Sequence, residues 1–279
     1  MTVTDPVLEA RGLAKRYRRG VWALGGIDLE LPAGGITALV GPNAAGKSTL
    51  IKTWVGFEKP TRGTAAVMGV DPWRDRSRAL ANVGYVPQSP ALYDGLSVED
   101  HLDLALQLRP GFDRDSARTR LAQLGIPSNA GARSLSGGQQ AQVSLALALG
   151  TRAPILLLDE PLASLDPLAR REFLHVLTDA VRVDGATTLL SSHIVTDVEQ
   201  SCDRLIVLGV GRVLLHETVA AALAGHAISL TERPDAVATF AEANGSRISL
   251  VRGPGDRPAT LEEVVLGYLA SSRAPAVAA

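Results

Sequence analysis

Ile36-Thr37-Ala38-Leu39-Val40-Gly41-Pro42-Asn43-Ala44-Ala45-Gly46-Lys47-Ser48-Thr49 decides the fold. The first five residues form a compact apolar run with the length and β-branched content of a buried strand. They lead straight into Gly41–Ser48, which fits the G-x-x-x-x-G-K-[ST] spacing, and a helix-like segment starts near Lys47. Strand, glycine-containing loop and helix in this order are an α/β signature. Backbone N–H groups around such a loop point inward as an anion nest, reinforced by the positive end of the following helix. Lys47 adds a full charge against terminal phosphates, and the Ser48 hydroxyl is a hard oxygen ligand for Mg²⁺. A glycine-rich loop alone is common; the attached Lys-Ser and the flanking elements make this one specific.

Two further segments carry chemistry. Ile155-Leu156-Leu157-Leu158-Asp159-Glu160 is a buried-strand pattern ending in two carboxylates. A carboxylate at the C-terminal end of a strand beside a phosphate loop can hold Mg²⁺, directly or through water. A second carboxylate one residue on can polarise an attacking water. On its own an Asp-Glu pair at a strand end is more often a cap or a surface turn, so the phosphate loop upstream gives it the catalytic reading. Leu135-Ser136-Gly137-Gly138-Gln139 leads a helix-like run and forms another anion-binding helix start, although Ser-Gly-Gly also occurs in ordinary loops.

Working outward, short strand-like runs at Leu8–Arg11 and Ile27–Leu31 are expected to be broken by Gly25-Gly26 and by Pro32-Ala33-Gly34-Gly35. Residues from about Asp71 to Ala148 are more helical in pattern, with Ser97 as an N-cap and a helix over Ser116–Leu124 closed by Gly125 and Pro127. The pattern then returns to α/β: strands at Ile155–Leu158, Thr187–Ser191 and Leu205–Leu208, helices at Leu168–Val181 and around Asp197–Ser201. A small tail unit begins near Ala227, with strands at Ile228–Leu230 and Arg247–Arg252 and a helix at Asp235–Ala243. Its final helix opens on the capping box Thr260-x-x-Glu263 and carries one apolar face of Leu261, Val264, Val265, Tyr268 and Leu269. That face fits a helix docked on its own domain; a partner surface is the other reading. The last residues, SSRAPAVAA, are expected to be a frayed tail.

Composition narrows the function classes. The 279 residues hold 28 basic and 29 acidic side chains, a net charge of −1, without the basic surplus of a non-specific nucleic-acid binder. Twenty-four of the basic residues are Arg and four are Lys, a bias that fits a GC-rich bacterial genome. A single cysteine, Cys202, excludes an intramolecular disulfide and a Cys-rich zinc site, and it points to the cytosol. No apolar run reaches the roughly 18 residues of a membrane span, and the N-terminus lacks the apolar core of a secretory signal. Any action at a membrane must pass through a partner.

A phosphate loop, then Leu135–Gln139, then a strand ending in Asp159-Glu160 resembles the nucleotide-binding subunit of an ABC transporter over roughly residues 6–222. Nucleotide kinases and small GTPases do not carry this combination. The resemblance implies a P-loop NTPase core with an antiparallel β subdomain and a helical subdomain at about residues 89–150. It divides the chain into an ATP-binding domain, 1–224, and a small α+β extension, 225–279. It implies ATP and Mg²⁺ as cofactors. Tyr17 stands where the family stacks an aromatic on the adenine, and Gly41, Pro42, Asn43, Ala44, Ala45, Gly46, Lys47, Ser48 and Thr49 hold the nucleotide. Gln88 matches the Q-loop glutamine that meets the metal and senses the membrane partner. Ser136, Gly137, Gly138 and Gln139 form the signature, which contacts the γ-phosphate held by a second subunit. Asp159 joins Ser48 and Gln88 around the metal. Glu160 matches the general base, His193 the switch histidine, and Lys47 neutralises phosphate charge. Ser164-Leu165-Asp166 resembles the loop at the dimer seam.

The implied activity is ATP hydrolysis in a head-to-tail homodimer or heterodimer that drives a separate membrane permease, placing the chain on the inner face of the cell membrane, with no nucleic-acid partner. The tail resembles the extensions of drug-, antibiotic- or lipid-type exporters, because sugar importers carry larger barrel-like domains. The alternative is a soluble ABC-type ATPase not tied to transport; a module that holds ATP without turnover sits badly with Glu160 and His193. Tyr17 also fits an ordinary half-buried aromatic, with Trp22 as a competitor. Cys202 reads as a small packed hydrophobe and Arg16–Arg19 as a solvated basic edge. Two positions depart from the family. Ala44 replaces a glycine, so the loop there either holds a strained positive φ or adopts a compatible negative one, and Gln140-Ala141-Gln142-Val143 stands where relatives carry arginines.

Overall fold

The computed structural model describes residues 5–18, 20–163, 165–241 and 245–272. Arg19, Ser164, part of the predicted Asp235–Ala243 helix and the tail beyond Ser272 lie outside the described residues. In chain order the N-terminal part runs β1 (Leu8–Arg16), β2 (Trp22–Leu31), β3 (Ile36–Val40), α1 (Lys47–Trp54), β4 (Arg62–Val67), α2 (Arg76–Leu80) and β5 (Val83–Val86). A helical segment follows, with α3 (Val98–Leu108), α4 (Arg114–Gln123) and α5 (Gly137–Gly150). Then come β6 (Ile155–Leu158), α6 (Pro167–Asp184), β7 (Thr187–Ser192), α7 (Val195–Ser201), β8 (Arg204–Gly209), β9 (Arg212–Thr218) and α8 (Val219–Gly225). The tail holds β10 (His226–Ser229), β11 (Ala238–Ala241), β12 (Arg247–Arg252), β13 (Arg257–Pro258) and α9 (Leu261–Ser271).

Six strands form the central sheet in the order β5-β6-β7-β3-β8-β9, parallel except for the β8–β9 hairpin. β3 is buried along its whole length, as its unbroken apolar run requires of a strand covered on both faces. A three-stranded antiparallel sheet, β2-β1-β4, packs on one side of this core. Trp54, at the end of α1, is fully buried and donates its indole N–H to Glu9 O at 2.8 Å. That bond fixes the helix after the phosphate loop to the antiparallel sheet. α3, α4 and α5 build their own apolar cluster around Val98, Leu102, Phe112, Leu121 and Val143. The predicted α/β core, antiparallel β subdomain, helical subdomain and small extension are all present.

The tail forms a four-stranded sheet, β11-β12-β10-β13, closed by α9. Leu261, Val264, Val265 and Tyr268 share one cluster with Ala38, Val40, Leu205 and Val207 of the central sheet. Each of those four buried side chains contributes about 1.5–3 kcal/mol at most. The apolar face of α9 is therefore docked on its own chain. The seam also holds a polar relay: His226 Nδ1 bonds to Ala222 O at 2.7 Å, the Tyr268 hydroxyl reaches His226 Nε2 at 3.0 Å, and Arg252 donates to that hydroxyl at 2.5 Å.

Three expectations are corrected. β2 is not broken at Gly25-Gly26; the strand runs through them, Gly26 taking φ +89° while bulges in β1 absorb the register shift. The stretch from Asp71 to Ala148 is not helical throughout, since Val83–Val86 is a strand pairing with β6. Within Asp235–Ala243, Ala238–Ala241 is a strand, pairing Phe240 with Ile248 and Thr239 with Ser249. Its alanine content favours a helix locally, but cross-strand pairing and the packing of Phe240 against the tail cluster override that preference.

Candidate functional site

The C-terminal ends of β3, β6 and β7 lie side by side, so each strand delivers its following residues to one edge of the sheet. β3 gives the loop Gly41–Gly46 and α1 then starts at Lys47. Two glycines are sterically required. A Cβ on Gly41 would lie 2.2 Å from Leu208 O, and one on Gly46, at φ +107°, would lie 2.5 Å from Ala23 O. The loop is braced from behind by the β8–β9 turn, where Gly211 N–H donates to Ala45 O at 3.0 Å. Ala44 sits at φ +65°, the left-handed one of the two conformations open to this position.

Lys47 is 4% exposed. Its ammonium donates to Gly41 O at 2.6 Å and Pro42 O at 3.1 Å, and it pairs with Glu160 Oε1 at 2.9 Å. The other oxygen of Glu160 lies 3.3 Å from His193 Nδ1. Glu160 takes φ +45°, which is strained for a residue with a side chain. Asp159 is fully buried, and burial pushes its carboxyl pKa up. Its Oδ1 accepts from Ser48 Oγ at 2.8 Å and Ser191 Oγ at 3.2 Å, whereas Oδ2 is buried with no protein partner. Burial and the nearby Asp159 push the Tyr85 phenol up to about 12, so it is a neutral neighbour.

Tyr17, Val21, Trp22, Ala23, Asn43–Thr49, Gln88 and Glu160 line one cleft of about 430 Å³. Tyr17 is 38% exposed and its hydroxyl lies 3.3 Å from Thr49 Oγ1. Trp22 is flanked by the guanidiniums of Arg16 and Arg62, each 5.7 Å from the ring centre, while Lys15 lies 5.1 Å from the Tyr17 ring. Tyr17 is thus the aromatic bonded to the start of α1, and Trp22 forms the outer wall.

The structure does not bring every predicted residue to this cleft. Ser136 and Gln139 cap α5 reciprocally, Ser136 Oγ accepting from Gln139 N–H and Gln139 Oε1 accepting from Ser136 N–H. Ser136 and Gly137 are exposed, and none of Ser136–Gln139 lines the cleft. Asp166 caps α6 by accepting from the N–H groups of Leu168 and Ala169. The sequence reading missed Ser191, whose hydroxyl also accepts from Glu160 N–H at 2.7 Å. Its one signal was position, two residues before His193 on the strand beside β6.

The profile of a family described as ABC transporter matches residues 24–163. The phosphonates import ATP-binding protein PhnC of Thiobacillus denitrificans is 35% identical over 227 residues, 76% of this chain and 88% of that one. The probable multidrug ABC transporter ATP-binding protein YbhF of Escherichia coli is 34% identical over 76% of this chain, which spans 37% of YbhF. Among solved structures, the dimeric post-hydrolysis state of the ATP-binding cassette MJ0796 bound to ADP and Pi superposes with a TM-score of 0.69 at 25% identity, covering 76% of this chain and 98% of that one. The chain belongs to the ABC transporter family and is one of its ATP-hydrolysing, nucleotide-binding subunits.

Proposed function

We propose that this subunit hydrolyses ATP in a head-to-tail dimer and thereby drives export through a separate permease. The observation that carries the reading is the convergence of Lys47, Asp159, Glu160 and His193 at the ends of three adjacent strands beside a loop that only glycine can close. Backbone N–H groups of the loop and the Lys47 ammonium bind the phosphates. Tyr17 stacks on the adenine. Glu160 accepts the proton of the attacking water and His193 holds its carboxylate in place. The residues fit Mg²⁺: Asp159 Oδ2 is a buried carboxylate oxygen without a protein partner, and Ser48 and Gln88 add hard oxygen donors. When bound, the ion neutralises phosphate charge.

None of Ser136–Gln139 lines the cleft that holds Lys47, and Ser136 and Gly137 are exposed, which supports a dimer in which each signature completes the other subunit's site. The division at residues 224 and 225 belongs to this proposal, with the extension docked through α9 rather than swinging free. A four-stranded sheet with one helix, rather than a barrel, supports export; the relatives include both an import subunit, PhnC, and a multidrug one, YbhF. Among the described residues no helix is long and apolar enough to cross a membrane, which supports attachment through the permease.

Glu160→Gln tests the reading. It keeps the side chain's size and hydrogen bonding but removes the carboxylate, so ATP still binds while hydrolysis falls by roughly 10²–10⁴-fold. Without turnover the population shifts to an ATP-dependent dimer, read by size-exclusion chromatography at high protein concentration. Near-normal hydrolysis would exclude Glu160 as the base. Lost hydrolysis with no ATP-dependent dimer would favour a soluble ATPase or a heterodimer.

A further inference from the structure

We infer that Ser191 is a positioning residue for hydrolysis, holding the peptide between Asp159 and Glu160 in its productive conformation; the inference rests on the site proposed above. β7 lies between β6 and β3, with Leu190 opposite Leu158 and Ser191 opposite Leu39. Ser191 is fully buried at the end of that ladder. Its hydroxyl has one proton to give and lone pairs to accept with, and it uses both: O–H donates to Asp159 Oδ1 at 3.2 Å, and the oxygen accepts from Glu160 N–H at 2.7 Å. One atom therefore ties the metal-side carboxylate to the backbone of the next residue.

The need for such a tie follows from the backbone. Glu160 stands at φ +45°, a conformation that side chains disfavour and that persists only where the surroundings hold it. Among the described residues its N–H has the Ser191 hydroxyl as its acceptor and no other. Rotation of this peptide would swing the Glu160 side chain off Lys47 and His193. Asp159 Oδ1 would keep Ser48 Oγ, so the phosphate side of the site would stay largely intact. Ser192 performs a parallel task one residue on, its hydroxyl accepting from Ile194 N–H at 3.0 Å across His193. The end of β7 thus sets both Glu160 and His193.

The distinguishing feature of a positioning role is that it moves turnover more than binding. In the full-length chain Ser191→Ala is expected to lower kcat roughly 10–100-fold, the scale of a 1 Å misplacement. ATP affinity in the presence of Mg²⁺, measured separately by titration calorimetry, should stay within about threefold, because Lys47, Ser48 and Asp159 remain. Ser191→Thr keeps the hydroxyl and should recover kcat to within about threefold of the parent. Thermal melting of each variant establishes that it is folded. A Ser191→Ala kcat within threefold of the parent, a loss shared equally by ATP affinity, or a Ser191→Thr variant as slow as Ser191→Ala would overturn the inference. Glu160→Gln, assayed alongside, separates the two failures: if it too turns over at the parental rate, the site assignment itself is wrong.

Discussion

Replacing Lys47 with Ala should destabilise the protein even without nucleotide, because it strands a buried carboxylate. Lys47 Nζ and Glu160 Oε1 lie 2.9 Å apart, with 4% and 8% side-chain exposure. At an effective dielectric near 20 their attraction is about 6 kcal/mol, most of it offset by the cost of taking both charges out of water. Removing one partner leaves that cost uncompensated. His193, 3.3 Å from the other oxygen and 45% exposed, can take up only part of it. Lys47→Ala should therefore cost about 3 kcal/mol. Glu160→Gln should cost about 1 kcal/mol, since an amide oxygen still accepts from the ammonium and Lys47 keeps Gly41 O and Pro42 O. Once Lys47 is absent, losing the Glu160 charge becomes favourable, so the double variant should be more stable than the two single costs predict, by about 1.5–2 kcal/mol. Equilibrium denaturation of the four proteins in guanidinium chloride, with matching slopes, measures this coupling. Additivity within about 0.5 kcal/mol would refute the buried pair. In the same variant set, Lys47→Ala should weaken ATP binding and reduce hydrolysis to background; wild-type-like turnover would remove Lys47 from the phosphate site.

Ala44→Gly should relieve a left-handed backbone worth about 1–2 kcal/mol, offset by about 0.4–1 kcal/mol of added freedom in the unfolded chain. Stability should thus rise slightly with ATP affinity equal or better, and a clear drop in affinity would show that the alanine itself serves the loop. Tyr268→Phe removes the hydroxyl that meets both His226 Nε2 and Arg252, leaving the buried imidazole nitrogen unpaired at a cost of about 1–3 kcal/mol. An unchanged denaturation midpoint would show that the seam does not depend on this relay. Burial pushes the Cys202 thiol up to about 12 from an ordinary 9.0. The half-buried thiol should therefore be alkylated much more slowly at pH 8 in the native chain than after unfolding. The folded state holds that proton more tightly, so the thiol's contribution to stability is complete below about pH 9 and fades as pH climbs towards 12. Rapid labelling of the folded protein would contradict this.

The phosphate loop was legible because its constraints are local. Gly41 and Gly46 answer close approaches by Leu208 O and Ala23 O, and Lys47-Ser48 follow at the one spacing that starts a helix on the anion. The N-cap at Ser97, the helix start at Ser136 and the capping box at Thr260 were equally local, and each helix starts there, the structure adding capping boxes at the first two. β5 was not legible, because Val83-Gly84-Tyr85-Val86 is interrupted by a glycine and lacks the unbroken aliphatic run of β6, with which it pairs across the whole helical segment. Ala238–Ala241 failed because its local preference is helical and its partner strand decides otherwise. Ser191 escaped notice because a serine in a strand carries no signature, and its role exists only once β6 and β7 are adjacent.

The charge count at the cleft explains why these residues form one working unit. Asp159 and Glu160 bring two carboxylates to a buried edge where Lys47 is the cation in direct contact. Lys52 acts on Asp159 only through space, and burial outweighs it, since the carboxyl pKa is raised rather than lowered. In the proposed site Lys47 is also the group that phosphates would attract, so a nucleotide that drew it over would take the ion pair from Glu160 as the triphosphate's negative charge arrived. Two buried carboxylates beside a triphosphate would repel it unless a second cation entered with it. Asp159 Oδ2, without a partner among the described residues, would supply the oxygen that such a cation requires. Such a transfer of Lys47 from carboxylate to phosphate would also free Glu160 Oε1, the oxygen proposed to take the proton from water. Nucleotide binding and release of the proposed base would then be one rearrangement, in which the tie from Ser191 to the Glu160 peptide would keep the freed carboxylate from drifting away with the lysine.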